Sequence, residues 1–323
     1  MKKILIIHTG GTISMKENKE TGEVDTGDGH PLQKIAAANI ESVQIEEEIL
    51  FHIPSPHITP DHMLTLGRKI HEQLAKNELD GVVITHGTDT LEETAYFLDL
   101  FLQTRKPIVV TGAMRSSNEI GADGLYNLIT GTRVAASDEA QDKGVLVVMN
   151  DEIHTAKNVT KTSTSNVATF QSPQYGPIGI TTKRDVFFHH KLSNRDSYPI
   201  QQINKHVSLV KAYAGMDGTI FKALMNNPLD GLVIEALGQG NLPPDTVQPL
   251  KEILAQGIPV VLVSRCYQGI VQDTYAYEGG GRKLREAGII FANGLTGPKA
   301  RIKLLVALEM TKNPTELAPM FDY

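Results

Sequence analysis

Two threonine-bearing loops carry the strongest chemical signal in the chain. Thr9-Gly10-Gly11-Thr12-Ile13 follows an apolar run at residues 4–7, and its paired glycines let the backbone turn sharply and approach a ligand, with a hydroxyl just beyond. Thr85-His86-Gly87-Thr88-Asp89-Thr90 follows a second apolar run at 82–85 and leads into Leu91-Glu92-Glu93-Thr94-Ala95. A threonine hydroxyl becomes a nucleophile once a base removes its proton. In the second loop the Asp89 carboxylate could bind a substrate ammonium, and the start of the following helix offers donors to an anion or a developing oxyanion.

Each feature also has a plainer reading. Gly10 and Gly11 alone fit a simple turn or a phosphate cradle equally well, but neither G-x-G-x-x-G nor G-x-x-x-x-G-K-[ST] surrounds them, which sets nucleotide chemistry aside. Asp89 or Thr90 would serve as a helix N-cap. Lys161 alone reads as a solvated lysine, and Asn241, in Gly-Gln-Gly-Asn, as a turn residue. The 11 histidines, including His57, His62, His189 and His190, show no H-E-x-x-H pattern and no accompanying cysteines, so no metal site is expected. Ser264 lacks a G-x-S-x-G elbow, which disfavours a serine hydrolase.

These loops need a scaffold that presents strand ends side by side. Apolar runs at 4–7, 82–85, 108–111, 145–149, 209–213, 232–234 and 260–263 read as buried strands. Helical spacing or capping predicts helices over 89–102, 123–136, 247–256 and 298–310. Alternation of the two implies parallel sheets with crossovers, whose ligands sit beyond the carboxyl ends of the strands. The polar stretch 191–206, with Pro199, reads as a linker between an N-terminal domain at 1–190 and a C-terminal α/β domain at 207–323. The polar, glycine-containing segment 15–32 reads as a mobile loop beside the site.

With 323 residues, 41% hydrophobic and 21% charged, the chain has material for two packed cores. A net charge of −6 without a basic stripe argues against nucleic acid as a partner, and no apolar stretch approaches the roughly 18 residues of a membrane span. Cys266, the single cysteine, can form no internal disulfide, so a cytoplasmic setting is expected, and the N-terminal apolar run reads as a strand, not a leader.

The two loop motifs together resemble the signature motifs of the bacterial asparaginase/glutaminase family. The likeness continues through Gly112-Ala113-Met114-Arg115, Val147-Val148-Met149-Asn150-Asp151, Val159-Thr160-Lys161-Thr162, Gly238-Gln239-Gly240-Asn241-Leu242 and Lys299-Ala300-Arg301. The resemblance implies a larger N-terminal α/β domain with a mixed, mostly parallel sheet and a smaller flavodoxin-like C-terminal domain. It implies hydrolysis of L-asparagine to aspartate and ammonia, with some glutaminase activity and no cofactor.

By position the resemblance makes Thr12 the nucleophile and Thr88, Asp89 and Lys161 the cluster that orients and activates the reacting groups. Ser55 would hold the substrate carboxylate and Asp89 its amino group. Gly11 and Gly87 would lie against the substrate, and the Ala113 carbonyl would hold the amide nitrogen. Family members form homo-oligomers, tetramers built from intimate dimers, in which Asn241 and Glu278 would complete a neighbour's pocket.

Two departures from the family pattern stand out. The loop after the first motif normally carries a tyrosine that helps deprotonate the nucleophile, but here Val24 stands near that place and the first tyrosine is Tyr96. Around Ser55 the sequence reads Pro54-Ser55-Pro56-His57, where Pro56 and His57 are not the usual polar residue and aspartate. The amidase subunit of a transfer-RNA-dependent amidotransferase shares the threonine motifs but typically carries an N-terminal extension, whereas here the first strand begins at once. A sensor that keeps the pocket without turnover is the reading outside enzymology.

Overall fold

The computed structural model describes residues 1–17, 21, 24–26, 43–76, 78–190 and 195–322. The chain divides into two compact units, Met1–Pro199 and Ile200–Tyr323. Residues 191–194 of the expected linker, and most of the expected mobile loop at 15–32, fall outside the described residues.

The first unit begins with β1 (Lys2–His8), followed by an antiparallel ribbon of β2 (Met15–Glu17) and β3 (Val24–Thr26), in which Val24 stands opposite Glu17. Next come β4 (Val43–Ile49), α1 (Pro60–Lys76), β5 (Gly81–Thr85), α2 (Leu91–Phe101), β6 (Ile108–Thr111) and α3 (Gly124–Ala136). The unit closes with β7 (Val145–Met149), β8 (Glu152–Thr155), the hairpin strands β9 (Thr160–Lys161) and β10 (Phe170–Gln171), then β11 (Gly179–Thr181) and β12 (Val186–Phe188).

Among the described residues its main sheet has eight strands in the order β4-β1-β5-β6-β7-β8-β11-β12. Pairing is parallel from β4 to β7 and antiparallel from β7 to β12, the mixed and mostly parallel sheet that the family resemblance implies, where strand and helix alternation alone predicts parallel pairing. The change of direction is made by a tight turn at Asn150 (φ 51°) and Asp151 (φ 65°), residue types that tolerate left-handed backbone in two-residue hairpins.

The central strands read as unbroken apolar runs because both faces are covered. Ile4, Ile6, Val83, Val109, Leu146 and Val148 pack with Leu128 and Val134 of α3. Alternate residues Leu5, Ile7, Val82, Ile84, Val110 and Val147 are also buried, on the face where α2 packs against β6 and β7. Each such side chain contributes roughly 1.5–3 kcal/mol by leaving water.

β4 escapes an apolar-run reading because it is an edge strand, with Gln44, Glu46 and Glu48 between its apolar residues. Glu46 pairs with Lys3 at 2.9 Å and Glu48 with Lys69 at 2.7 Å, charges that also discourage edge-to-edge association.

The second unit holds a four-stranded, all-parallel sheet in chain order: β13 (Val207–Lys211), β14 (Gly231–Ala236), β15 (Val260–Ser264) and β16 (Ile290–Phe291). Its helices are α4 (Thr219–Met225), α5 (Val247–Ala255), α6 (Gly281–Glu286), α7 (Gly297–Met310) and α8 (Pro314–Met320). Phe221, Val247, Leu250 and Ile253 pack against Leu232, Ile234, Val260 and Leu262 to form its core. β13 starts and ends two residues earlier than the apolar run suggests: its ladder with β14 begins at Val207 opposite Gly231 and closes at Lys211, after which the Ala212 N–H still reaches the Glu235 carbonyl.

Candidate active site

The neighbouring strands β1, β5 and β6 end at one level, with His8 opposite Thr85 and Thr85 opposite Thr111. Their exits are stitched together at once. Thr9 donates to the Thr85 carbonyl through both its N–H (3.1 Å) and its hydroxyl (2.9 Å), and the His86 N–H donates to the Thr111 carbonyl (2.9 Å).

Beyond this seam the loops touch where glycines leave room. Gly11 has φ 84°, and a Cβ built on it would lie 2.2 Å from the Cα of Gly87. A Cβ on Gly87 would in turn lie 2.7 Å from Ser55 Oγ, and one on Gly112 would lie 2.6 Å from the His86 carbonyl oxygen. Side chains at these positions would force the three loops apart. The residues that follow these glycines are Thr12, Thr88 and Ala113. Thr12 opens a short turn, Thr12–Ser14, fixed by Ser14, whose N–H (2.9 Å) and hydroxyl (2.8 Å) both donate to the Gly11 carbonyl.

Lys161 reaches this cluster from β9. Its Nζ donates to Thr88 Oγ1 at 2.9 Å and to Asp89 Oδ1 at 2.8 Å. The Lys161 side chain is 17% exposed and that of Asp89 60%, so the pair stands at a solvent-facing rim while the Thr88 hydroxyl lies buried. An ammonium carries three donors, and two are accounted for here. Glu92, in the first turn of α2, holds the strand in place: its Oε1 accepts from the Thr160 hydroxyl (3.2 Å) and the Lys161 N–H (3.5 Å).

Neither Asp89 nor Thr90 caps α2 as the sequence suggests. Thr90 occupies the N-cap position without a side-chain cap bond, and its hydroxyl donates instead to the Ser55 carbonyl at 2.8 Å. Ser55 Oγ accepts from the Asp89 N–H at 3.2 Å. A hydroxyl used as an acceptor keeps its own hydrogen for donation, so buried Ser55 is equipped to hold a ligand oxygen beside Asp89.

His86 is a site residue that the sequence reading passes over. Its ring is buried, with Nδ1 2.7 Å from the Gly87 carbonyl and Nε2 2.9 Å from Thr94 Oγ1. Because a carbonyl only accepts, Nδ1 carries the hydrogen and Nε2 accepts from the threonine. Loss of solvation pushes its pKa down to about 4, against the opposing pull of the Gly87 carbonyl. The neutral ring therefore braces the Gly87 peptide against α2.

Ala113 is buried, and its methyl group packs with Ile13 against Gly124 at the start of α3. The first unit thus gathers Gly11, Thr12, Ser55, Gly87, Thr88, Asp89, Ala113 and Lys161 around adjoining loops. Asn241 and Glu278 lie in the second unit, on segments joined to each other by the Leu242 N–H to Gly279 carbonyl bond (2.8 Å). Asn241 Oδ1 accepts from the Gly281 N–H at 3.3 Å, and exposed Glu278 pairs with Lys283 at 2.9 Å, which holds its carboxyl below the usual range.

Among the described residues no group of three or more His, Cys, Asp or Glu side chains is placed to hold a metal ion, and no helix is long and apolar enough to cross a membrane.

Residues 3–194 match the family described as "Asparaginase, N-terminal", and residues 206–321 match the "Glutaminase/Asparaginase C-terminal domain". The chain belongs to the asparaginase family. Within that family it is similar to an L-asparaginase from Bacillus licheniformis, 36% identical over 96% of this chain and 97% of the relative. It is similar also to a probable L-asparaginase from Deinococcus radiodurans, 40% identical over 99% and 97% of the two chains. Among solved structures it resembles a probable cytoplasmic L-asparaginase from Campylobacter jejuni, with a TM-score of 0.88 and 32% identity over 99% of both chains. The chain therefore has the two-domain α/β fold of the asparaginase family.

Proposed function

We propose that this protein is a cytoplasmic L-asparaginase that hydrolyses L-asparagine to L-aspartate and ammonia, with minor activity on glutamine. The reading is supported by the family and by one observation above all: the Gly11 to Gly87 backbone contact, which sets the loops of Thr12 and Thr88 against each other. The glutamine activity has its support in the C-terminal family description, which covers both amides. The cytoplasmic setting has its support in the Campylobacter jejuni relative and in the single cysteine.

The Thr12 hydroxyl attacks the side-chain amide carbon, the C–N bond breaks, and ammonia leaves with the hydroxyl proton, giving an acyl ester on Thr12. A water held by Thr88 and Lys161 then cleaves the ester to release aspartate. Ser55 donates to the substrate carboxylate, Asp89 accepts from its ammonium, and backbone amides beside Gly11 and Gly87 receive the oxyanion. The Ala113 carbonyl accepts from the amide nitrogen. The Lys161 to Thr88 bond supports the assignment of Lys161 and Thr88 to one proton-handling pair.

A homo-oligomer in which Asn241 and Glu278 complete a neighbour's site is part of this proposal. So is the division into a site-bearing domain at 1–190, a linker at 191–206 and a second domain at 207–323.

Ammonia release from L-asparagine by the purified protein is the direct test, with Thr12→Ala as its partner. The proposal predicts turnover by the wild type and loss of about a thousandfold or more in the variant. Near-normal turnover by Thr12→Ala removes Thr12 from its role, and thermal stabilisation by asparagine without any ammonia converts the reading to a sensor.

A further inference from the structure

We infer that Asp123, assisted by Asn127, is a positioning residue that aims and polarises the Ala113 carbonyl toward the departing amide nitrogen. The inference rests on the proposed hydrolysis and on the place given there to Ala113.

Asp123 stands at the N-cap position of α3 yet makes no side-chain bond to that helix's first turn of amides. Both its carboxylate oxygens turn to the loop after β6. Oδ1 accepts from the Met114 N–H (3.1 Å) and the Arg115 N–H (3.0 Å), and Oδ2 from the Met114 N–H (3.0 Å) and Asn127 Nδ2 (3.0 Å). Asn127, 2% exposed, donates from the same Nδ2 to the Gly112 carbonyl at 3.0 Å. Its Oδ1 accepts from the Asn150 N–H at 3.1 Å, tying the assembly to the β7 to β8 turn.

The peptides on either side of Ala113 are thereby fixed. The Ala113 carbonyl and the Met114 N–H belong to one planar trans peptide unit, so they point in opposite directions. Gripping the N–H from one side sets the direction of the oxygen on the other. An anionic acceptor on an N–H also draws the peptide's electrons toward its oxygen, which makes that carbonyl a stronger acceptor.

The reaction uses such an acceptor most when the C–N bond breaks. The amide nitrogen then gains a proton and becomes a much better donor than it is in the bound substrate. An interaction that strengthens on the way to the transition state raises kcat more than it changes KM. An ester is different, since its leaving oxygen carries no hydrogen in the ground state and needs little protonation to depart.

The test compares L-asparagine with the β-methyl ester of L-aspartate in the wild type, Asp123→Asn and Thr12→Ala, reading ammonia and methanol. Asp123→Asn should lower kcat on the amide about tenfold or more relative to kcat on the ester, with KM for asparagine within about twofold. The amide-to-ester ratio within one sample is independent of the folded fraction, so a poorly folding variant still reports. An equal loss on both substrates, complete loss included, overturns the inference, as does an unchanged ratio. A wild type that releases neither product, or a Thr12→Ala variant that releases both at the normal rate, overturns instead the hydrolytic reading beneath it.

Discussion

Gly11 and Gly87 touch main chain to main chain: a single added methyl on the first would sit 2.2 Å from the Cα of the second. Parallel β1 and β5 already place their loops side by side, and this contact removes the remaining gap. The residues next in line are the two threonines on which the proposed chemistry depends.

Gly11→Ala should therefore be severe. The new Cβ meets backbone, which cannot rotate away, at a φ of 84° that L side chains rarely adopt. We expect a loss of stability on the order of 3 kcal/mol and asparagine turnover below about 1% of wild type. Gly176→Ala makes the comparison, because Gly176 also has positive φ (72°) but open space around it. It should cost about 1 kcal/mol and leave turnover intact, as urea melts and an ammonia assay will show.

Replacing Lys161 separates chemistry from folding. Its partner Asp89 is 60% exposed, so breaking the pair should change stability by less than about 1 kcal/mol. Removing the donor on Thr88 Oγ1 should lower kcat by about 10²-fold to 10⁴-fold. Steady-state kinetics of Lys161→Met alongside its melting curve will check both numbers, and a variant that unfolds instead would assign Lys161 a structural role.

Ser55→Ala should act on binding. The lost hydroxyl accepts from the Asp89 N–H and, in the proposed complex, donates to the substrate carboxylate. A hydrogen bond to a charged group is worth about 1.5–3 kcal/mol, so KM for asparagine should rise on the order of tenfold or more while kcat falls less. A change confined to kcat would contradict the placement of the carboxylate at Ser55.

His86 should make stability fall with acid. Its folded pKa of about 4 lies below the value near 6.5 of an unfolded chain, so between the two the unfolded state binds a proton that the folded state does not. The stabilising contribution is thus complete above about pH 6.5 and is lost as pH falls toward 4, amounting to about 2 kcal/mol between pH 7 and pH 5. Urea unfolding of wild type and His86→Gln at both pH values isolates it: the variant should show a pH dependence smaller by about that amount.

The sequence displayed the strands whose two faces are both buried, such as Val82 to Thr85, because their composition leaves no other role for them. It concealed β4, where the run Glu46-Glu47-Glu48 interrupts the apolar residues and Glu46 and Glu48 meet lysines, and α1, whose charged outer face dilutes its buried Met63, Leu64, Leu66 and Ile70. Thr12, Thr88 and Lys161 were legible through their motifs. Asp123, Asn127, His86 and Glu92 were not, since each acts on main-chain atoms brought near only by folding. An acid directly before a helix reads as a cap, and only its actual partners show that Asp123 serves another loop.

The parallel half of the main sheet also has a practical side. The turns of the candidate site leave from one end of its strands, while the turn Gln103 to Lys106, exposed at Gln103, Arg105 and Lys106, lies at the opposite end, where Arg105 pairs with Asp142. A fluorophore attached at exposed Gln103, which spares the Arg105 pair, should leave ammonia release unchanged and so offers a handle for immobilising the protein.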